Sequence, residues 1–218
     1  MKSTPARHPE FQTNEPGAIS KNAPSPSSGM SGLVLAGGHS RRMGQPKSLL
    51  QYQAKPQYQH LADLLSGFCA QVFISCRAEQ RGLFEGCTTI LDSPVYGDIG
   101  PLNGVLSAFD QDKNSAWFVV GCDYPLLEKS DLEQLVQARN PDCLATVFSN
   151  PETQFPEPLI GIYEAEAGPL LREWLQLGNE SIRRFLERQE VQKIIPLHTE
   201  CLRSVDTPEE FQHIKSKC

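Results

Sequence analysis

Nowhere in the 218 residues does an apolar run approach the roughly 18 residues that a membrane span requires. The opening stretch, MKSTPARHPEFQTNEPGAIS, lacks the apolar segment of a secretory signal, so a cytoplasmic chain is expected, with no membrane partner. Positive charge is in short supply: 20 Lys and Arg face 26 Asp and Glu, a net charge of -6. That balance argues against broad, salt-dependent binding to nucleic acid, yet it leaves room for a local basic pocket around a small anion. No CxxC pair occurs among the seven cysteines (Cys69, Cys76, Cys87, Cys122, Cys143, Cys201 and Cys218). A structural zinc or a disulfide framework is therefore not expected, and the thiols read as reduced groups in or beside strands. The histidines show no ligand-like spacing, and His39 reads as a variable loop residue.

What is present suits one globular core, with 39% hydrophobic and 21% charged residues. Residues 1–28 hold five prolines and almost no aliphatic side chains, which marks them as an expected disordered tail before a single domain over 29–218. From Gly32 onward, apolar runs of strand length alternate with amphipathic stretches. The strands expected are Gly32–Ala36, Val72–Ser75, Thr88–Leu91, Trp117–Val120, Cys143–Phe148, Leu159–Tyr163 and Lys193–Leu197. Helical patterns lie near Gln57–Gly67, Leu102–Phe109, Ser130–Ala138, Ala167–Leu177, Ser181–Arg188 and Pro208–Lys215. Continuous rather than alternating apolar strands indicate a parallel sheet covered on both faces. The expected fold is α/β: a doubly wound, mostly parallel, Rossmann-like sheet in three layers. Ligands of such folds sit beyond the carboxyl ends of the strands.

The first strand runs Leu33-Val34-Leu35-Ala36 straight into Gly37-Gly38-His39-Ser40-Arg41-Arg42-Met43-Gly44-Gln45-Pro46-Lys47. Paired glycines let the backbone turn sharply and approach a ligand, and successive N–H groups form an anion nest. Arg41, Arg42 and Lys47 add positive charge suited to a triphosphate. A P-loop is excluded, because Lys47 stands three residues beyond Gly44 rather than next to it. A dinucleotide fingerprint is excluded too, because the second strand ends Ser75-Cys76-Arg77 without a carboxylate for a ribose. A solvated surface turn would explain a lone Gly-Gly pair, but not this many fixed elements.

Asp123 emerges from the fourth strand in Gly121-Cys122-Asp123-Tyr124-Pro125-Leu126. Mg²⁺ is held by one or two carboxylates together with substrate phosphates, so Asp123 is the candidate metal ligand, an Asx turn being the alternative. Asp92 ends the third strand at the same edge, where a turn role before Ser93-Pro94 is the alternative. In Gly100-Pro101-Leu102-Asn103-Gly104, Pro101 suits a first helical turn and the glycines permit close backbone approach to a base or ribose. Thr207, Pro208 and Glu210 form a capping-box pattern. Arg183, Arg184 and Arg188 fall near one helix face, either solvated or turned to an anion.

The loop Leu35-Ala36-Gly37-Gly38-x-Ser40-x-Arg42-Met43-Gly44-x-x-Lys47 resembles the signature of nucleotidyltransferases related to the molybdenum cofactor guanylyltransferases. Gly100–Gly104 is like that family's GPLAG element, with Asn103 where Ala is usual. Ser204–Glu210 resembles its terminal NVNTPED element, with Ser204 and Asp206 in place of two Asn. The resemblance implies transfer of GMP from GTP to molybdopterin with Mg²⁺ and release of pyrophosphate, and molybdoenzyme-maturation proteins as further partners. It implies catalytic Lys47 and Asp123. The implied nucleotide set is Leu35, Ala36, Gly37, Gly38, Ser40, Arg42, Lys47, Ser75, Asp92, Gly100, Pro101 and Asp123. Glu157, Arg183 and Asp206 are implied on the acceptor side. Leu-Ala-Gly-Gly at 35–38, rather than the Leu-Ala-Ala-Gly usual in cytidylyltransferase relatives, tilts the base towards guanine. A cytidylyltransferase, a sugar-phosphate nucleotidyltransferase of the same fold and a non-catalytic nucleotide-binding module are the alternatives.

Overall fold

A computed structural model describes residues 27–38, 40 and 42–216. The expected tail lies outside the described residues except at its end, because Ser27 and Ser28 open the first strand. His39, Arg41 and Cys218 also lie outside them.

The strands are β1 (Ser27–Leu35), β2 (Cys69–Cys76), β3 (Thr89–Leu91), β4 (Ala116–Gly121), β5 (Ala145–Ser149), β6 (Pro156–Tyr163) and β7 (Gln192–Ile194). The helices are α1 (Gln57–Ser66), α2 (Pro101–Gln111), α3 (Lys129–Gln137), α4 (Ala167–Gln176), α5 (Ile182–Arg188) and α6 (Pro208–Lys215). One seven-stranded sheet runs in the order β3-β2-β1-β4-β6-β5-β7. β1 pairs in parallel with both β2 and β4, whereas β6 pairs antiparallel with β4 and β5. The doubly wound, mostly parallel fold is thus observed, with β6 the reversed strand. Residues Asn150 to Phe155 separate β5 from β6, too short a connection for a crossover helix, so the chain turns back as a hairpin.

Alternate residues of each strand serve opposite faces, which is why the apolar runs are continuous. Val34, Ile74, Phe118, Val120, Ile160 and Ile162 pack with Leu61 and Leu65 of α1 and Leu132 and Leu135 of α3. Leu33, Trp117, Val119 and Tyr163 pack on the other face with Val105 and Phe109 of α2, Leu171 of α4 and Phe185 of α5. A third, smaller cluster joins Met43, Leu50 and Tyr52 to Val205, Phe211 and Ile214. It ties the glycine loop to the last helix, two segments remote in sequence. Thr207 caps α6 with Pro208 at its start, and the Glu210 carboxylate accepts from the Asp206 and Thr207 amides in a capping box.

Six described cysteines are free, and four of them (Cys69, Cys76, Cys122 and Cys201) are buried. Burial pushes the Cys76 thiol up to about 11 and the Cys69 and Cys201 thiols up to about 12, so these groups stay protonated and inert near neutrality. No helix among the described residues is long and apolar enough to cross a membrane.

Candidate active site

β1, β2, β3 and β4 all end at one edge of the sheet, and the loops that follow them enclose a cavity of about 720 Å³. Leu35, Ala36, Gly37, Gly38, Ser40, Arg42, Lys47, Ser75, Asp92, Gly100, Pro101 and Asp123, the whole nucleotide set read from the sequence, contribute to its lining. Because β6 runs the other way, its first residues enter at this same edge, and Leu159 joins the wall.

The glycine loop is held by its own polar groups. Ser40 adopts φ 45°, its carbonyl accepts from the amides of Met43 (3.0 Å) and Gly44 (3.2 Å), and its hydroxyl accepts from the Lys47 amide at 3.0 Å. Met43 is buried in the cluster under α6, so motif positions 40 and 43 shape the loop while Lys47 and Arg42 face the cavity. A Cβ at Gly37 would stand 3.1 Å from the Asp92 carboxylate and 3.4 Å from Cys76 Cα, so glycine allows the first turn to lie against the end of β2. Gly100, at φ 62°, takes a left-handed conformation that favours glycine and opens α2 just before Pro101.

Asp123 is partly buried and lines the cavity beside Gly121 and Cys122. Burial raises its carboxyl above the ordinary range, and the nearby Lys47 ammonium pulls it back down. A Cβ at Gly121 would fall 2.5 Å from Asp123 Oδ1, so glycine there leaves the space for the carboxylate. The Asp123 carbonyl accepts from the Val205 amide at 2.9 Å, and that contact brings the C-terminal segment to the site. In consequence the Asp206 carboxylate accepts a short hydrogen bond from Lys47 Nζ and lies 3.7 Å from the Arg42 guanidinium. Lys47 and Arg42 hold Asp206 below the usual carboxylate range. Asp206, which the resemblance implies on the acceptor side, thus lies against Lys47 and Arg42 of the glycine loop, in the same cavity as Asp123.

Glu157 and Arg183 lie outside the cavity lining, paired at 3.5 Å, with Arg183 6.0 Å from the centre of the Phe155 ring. Tyr124 links them to Asp123: burial, then the charges of Asp123 and Glu157, push its hydroxyl well above its ordinary value. Burial also raises Glu157. The three arginines of the α5 stretch part company, since Arg188 packs 5.2 Å over the Trp174 ring and the Arg184 backbone caps onto Ser181.

Sequence reading missed part of the lining. Arg77 and Glu79 follow β2, and Arg77 pairs with Asp98 at 3.6 Å across the wall. Their position after a strand end was the available signal. Ser93, Pro94, Gly97 and Asn103 line the same wall, and of these only Asn103 was marked in the sequence, as a departure from the family's GPLAG element.

No group of three or more His, Cys, Asp or Glu that could hold a metal occurs among the described residues. That excludes a closed, all-protein cage there but suits Mg²⁺, which keeps several ligands for water and phosphate. Asp123 and Asp206 offer two hard oxygen donors in the same cavity, and the donor set fits the ion.

A phosphate-suited glycine loop, a partly buried strand-end carboxylate and a cavity at the carboxyl edge of a doubly wound sheet define a nucleotidyltransferase-type domain. Residues 32–194 match the family described as the MobA-like NTP transferase domain, and the chain belongs to that family. A molybdenum cofactor biosynthesis bifunctional protein from Synechocystis sp. is 33% identical over 185 residues, covering 84% of this chain and 53% of that protein. This chain thus spans about half the length of that relative. A probable molybdenum cofactor guanylyltransferase from Synechococcus elongatus is 29% identical over 190 residues, covering 84% of this chain and 96% of its own. The crystal structure of a molybdopterin-guanine dinucleotide biosynthesis protein A from Archaeoglobus fulgidus superposes with a TM-score of 0.70 at 22% identity. The match covers 86% of this chain and 98% of that one, and at this identity it speaks for the fold.

Proposed function

We propose that this chain transfers GMP from GTP to the phosphate of molybdopterin, with Mg²⁺, forming the guanine dinucleotide and releasing pyrophosphate. The observation that carries the proposal is the convergence of Lys47, Asp123 and Asp206 in the cavity floored by the glycine loop. The names of the two cyanobacterial relatives support the acceptor, and that of the Synechococcus relative supports the base.

An acceptor phosphate is already ionised near neutrality, so its oxygen attacks the α-phosphorus without a strong base. The new P–O bond forms as the α–β bridge breaks, and the negative charge leaves on pyrophosphate. Lys47, bonded to Asp206 and near enough to Asp123 to lower its carboxyl, is positioned to neutralise that charge, and the loop amides fix the triphosphate. Asp123 and Asp206 would hold Mg²⁺, which when bound supplies further charge neutralisation on the phosphate oxygens. Glu157 and Arg183, reached from Asp123 through Tyr124, form the acceptor side. The free thiols of the described residues are consistent with a cytoplasmic setting, where molybdoenzyme-maturation proteins would receive the product.

The test is to incubate the purified chain with Mg²⁺ and molybdopterin and each nucleoside triphosphate in turn, measuring pyrophosphate. Release with GTP that requires molybdopterin supports the proposal. Release with CTP alone moves the chain to the cytidylyltransferases, and release with none leaves a binding module.

A further inference from the structure

The face of α2 turned to the cavity wall is polar, although the helix is otherwise packed in the apolar core. Asn103, Ser107 and Asp110 recur at i, i+4 and i+7, one stripe along the helix. All three hold the loop that runs from Ser93 to Gly97. Asn103 Oδ1 accepts from the Ser93 amide at 2.8 Å, and Asn103 Nδ2 donates to the carbonyls of Ser93 (2.9 Å) and Gly97 (2.8 Å). The Ser107 hydroxyl accepts from the Ser93 amide at 3.1 Å and donates to Asn103 Oδ1 at 3.0 Å. The Asp110 carboxylate accepts from the Tyr96 hydroxyl at 2.6 Å and is itself held by Arg172 of α4 at 2.8 Å.

Asn103 lines the cavity, yet its amide is fully engaged: two donor hydrogens and two acceptances account for its whole capacity. It has nothing left to offer a ligand and acts only through the loop. The loop needs such fixing. Val95 at its tip is 86% exposed, and Gly97 and Gly100 at its far end both take left-handed φ, at 69° and 62°.

The two ends of the cavity differ in charge. Lys47 and Arg42 offset the carboxylates of Asp206 and Asp123 on one side, while Asp92, Asp98 and Glu79 outnumber Arg77 along the wall that continues into this loop. Carboxylates repel phosphates and accept hydrogen bonds from ribose hydroxyls and base N–H groups.

We propose that Asn103, Ser107 and Asp110 are positioning residues that preorganise the Ser93–Gly97 loop as the wall receiving the nucleoside of the triphosphate. The proposal rests on the nucleotidyl-transfer reading and adds the residues that set nucleoside affinity. An ordered wall spares the ligand the entropy of ordering it.

The experiment measures GTP and tripolyphosphate affinities by calorimetry, and steady-state rates, for the wild-type chain, Asn103→Ala, Asn103→Asp and Tyr96→Phe. Asn103→Asp keeps the shape but turns an oxygen towards the two carbonyls. The GTP dissociation constant and KM are expected to rise roughly tenfold in Asn103→Ala, at least as far in Asn103→Asp, and about two- to threefold in Tyr96→Phe. Tripolyphosphate affinity and kcat at saturating GTP are expected to stay within about twofold, because the lysine end is untouched. Tyr96→Phe keeps its ring and decides the matter alone should the Asn103 variants not fold. Unchanged GTP affinity, or parallel loss of GTP and tripolyphosphate, overturns the positioning role while leaving nucleotidyl transfer standing. A wild-type chain that binds no nucleoside triphosphate overturns both.

Discussion

Replacing Asp123 with Asn exchanges one carboxylate oxygen for an amide at a partly buried position in the cavity wall. The substituent is nearly isosteric, and its remaining oxygen can still accept from the residue's own backbone amide, as the carboxylate does. What changes is charge. The wild-type cluster sets Asp123 and Asp206 against Lys47, with Arg42 3.7 Å from Asp206 on the solvent side. Without the Asp123 charge, Lys47 and Asp206 remain as a balanced pair. Burial raises the Asp123 carboxyl in the folded protein. The folded state therefore keeps that proton to higher pH than the unfolded chain, a stabilisation present in acid and lost as pH rises through the raised value. At neutral pH the ligand-free variant should melt at or above the wild-type temperature. A relieved penalty of up to about 1 kcal/mol, the low end for a buried polar group, corresponds to roughly 2–4 °C in a domain of this size. The difference should close as pH falls. Turnover should drop by about a hundredfold or more, as when a group stabilising transition-state charge is removed. Thermal unfolding from pH 4 to 8 and pyrophosphate release on the same samples provide the assay. A variant that melts several degrees below wild type at neutrality, or that turns over normally, refutes the reasoning.

Lys47→Ala should lower turnover about a hundredfold, and Arg42→Ala less, since the Arg42 side chain is 73% exposed and that of Lys47 is 19% exposed. Kinetics in which the arginine variant is the worse of the two contradict this ranking. GTP should be preferred over ATP and CTP by roughly tenfold to a few hundredfold in kcat/KM. Gly37→Ala should erode that preference by displacing Asp92, whose carboxylate lies 3.1 Å from the added Cβ; equimolar competition assays check both statements. Deleting residues 1–26, which stops short of β1, should leave melting temperature and rate unchanged, and a large loss of folded protein on truncation opposes that expectation.

The seven strands and six α-helices of the described residues all overlap segments read from the sequence, because strands buried on both faces are written as uninterrupted apolar runs such as Leu33–Ala36 and Trp117–Val120. The expected Lys193–Leu197 fits worst, since β7 is Gln192–Ile194 and Ile195 and Leu197 are exposed beyond it. Strand direction is not written that way. Leu159–Tyr163 reads like any buried strand, and only the short Asn150–Phe155 connection, with no helix in it, betrays the hairpin. The loop and the strand-end carboxylates were visible because an α/β sheet puts ligand chemistry at one edge. The contact of Lys47 with Asp206 was not, since 159 residues separate them and the small cluster of Met43 with Val205 and Phe211 brings them together. Asn103 stood out as a departure from the family pattern, yet its purpose depends on four hydrogen-bonding groups that converge only in the folded chain.

The central claim is nucleotidyl transfer to molybdopterin, and product mass tests it most directly. The purified chain, given GTP, Mg²⁺ and molybdopterin, should yield molybdopterin enlarged by one GMP, with one pyrophosphate released per product. Recovery of unmodified molybdopterin, or of molybdopterin carrying CMP when both nucleotides compete, would contradict the account.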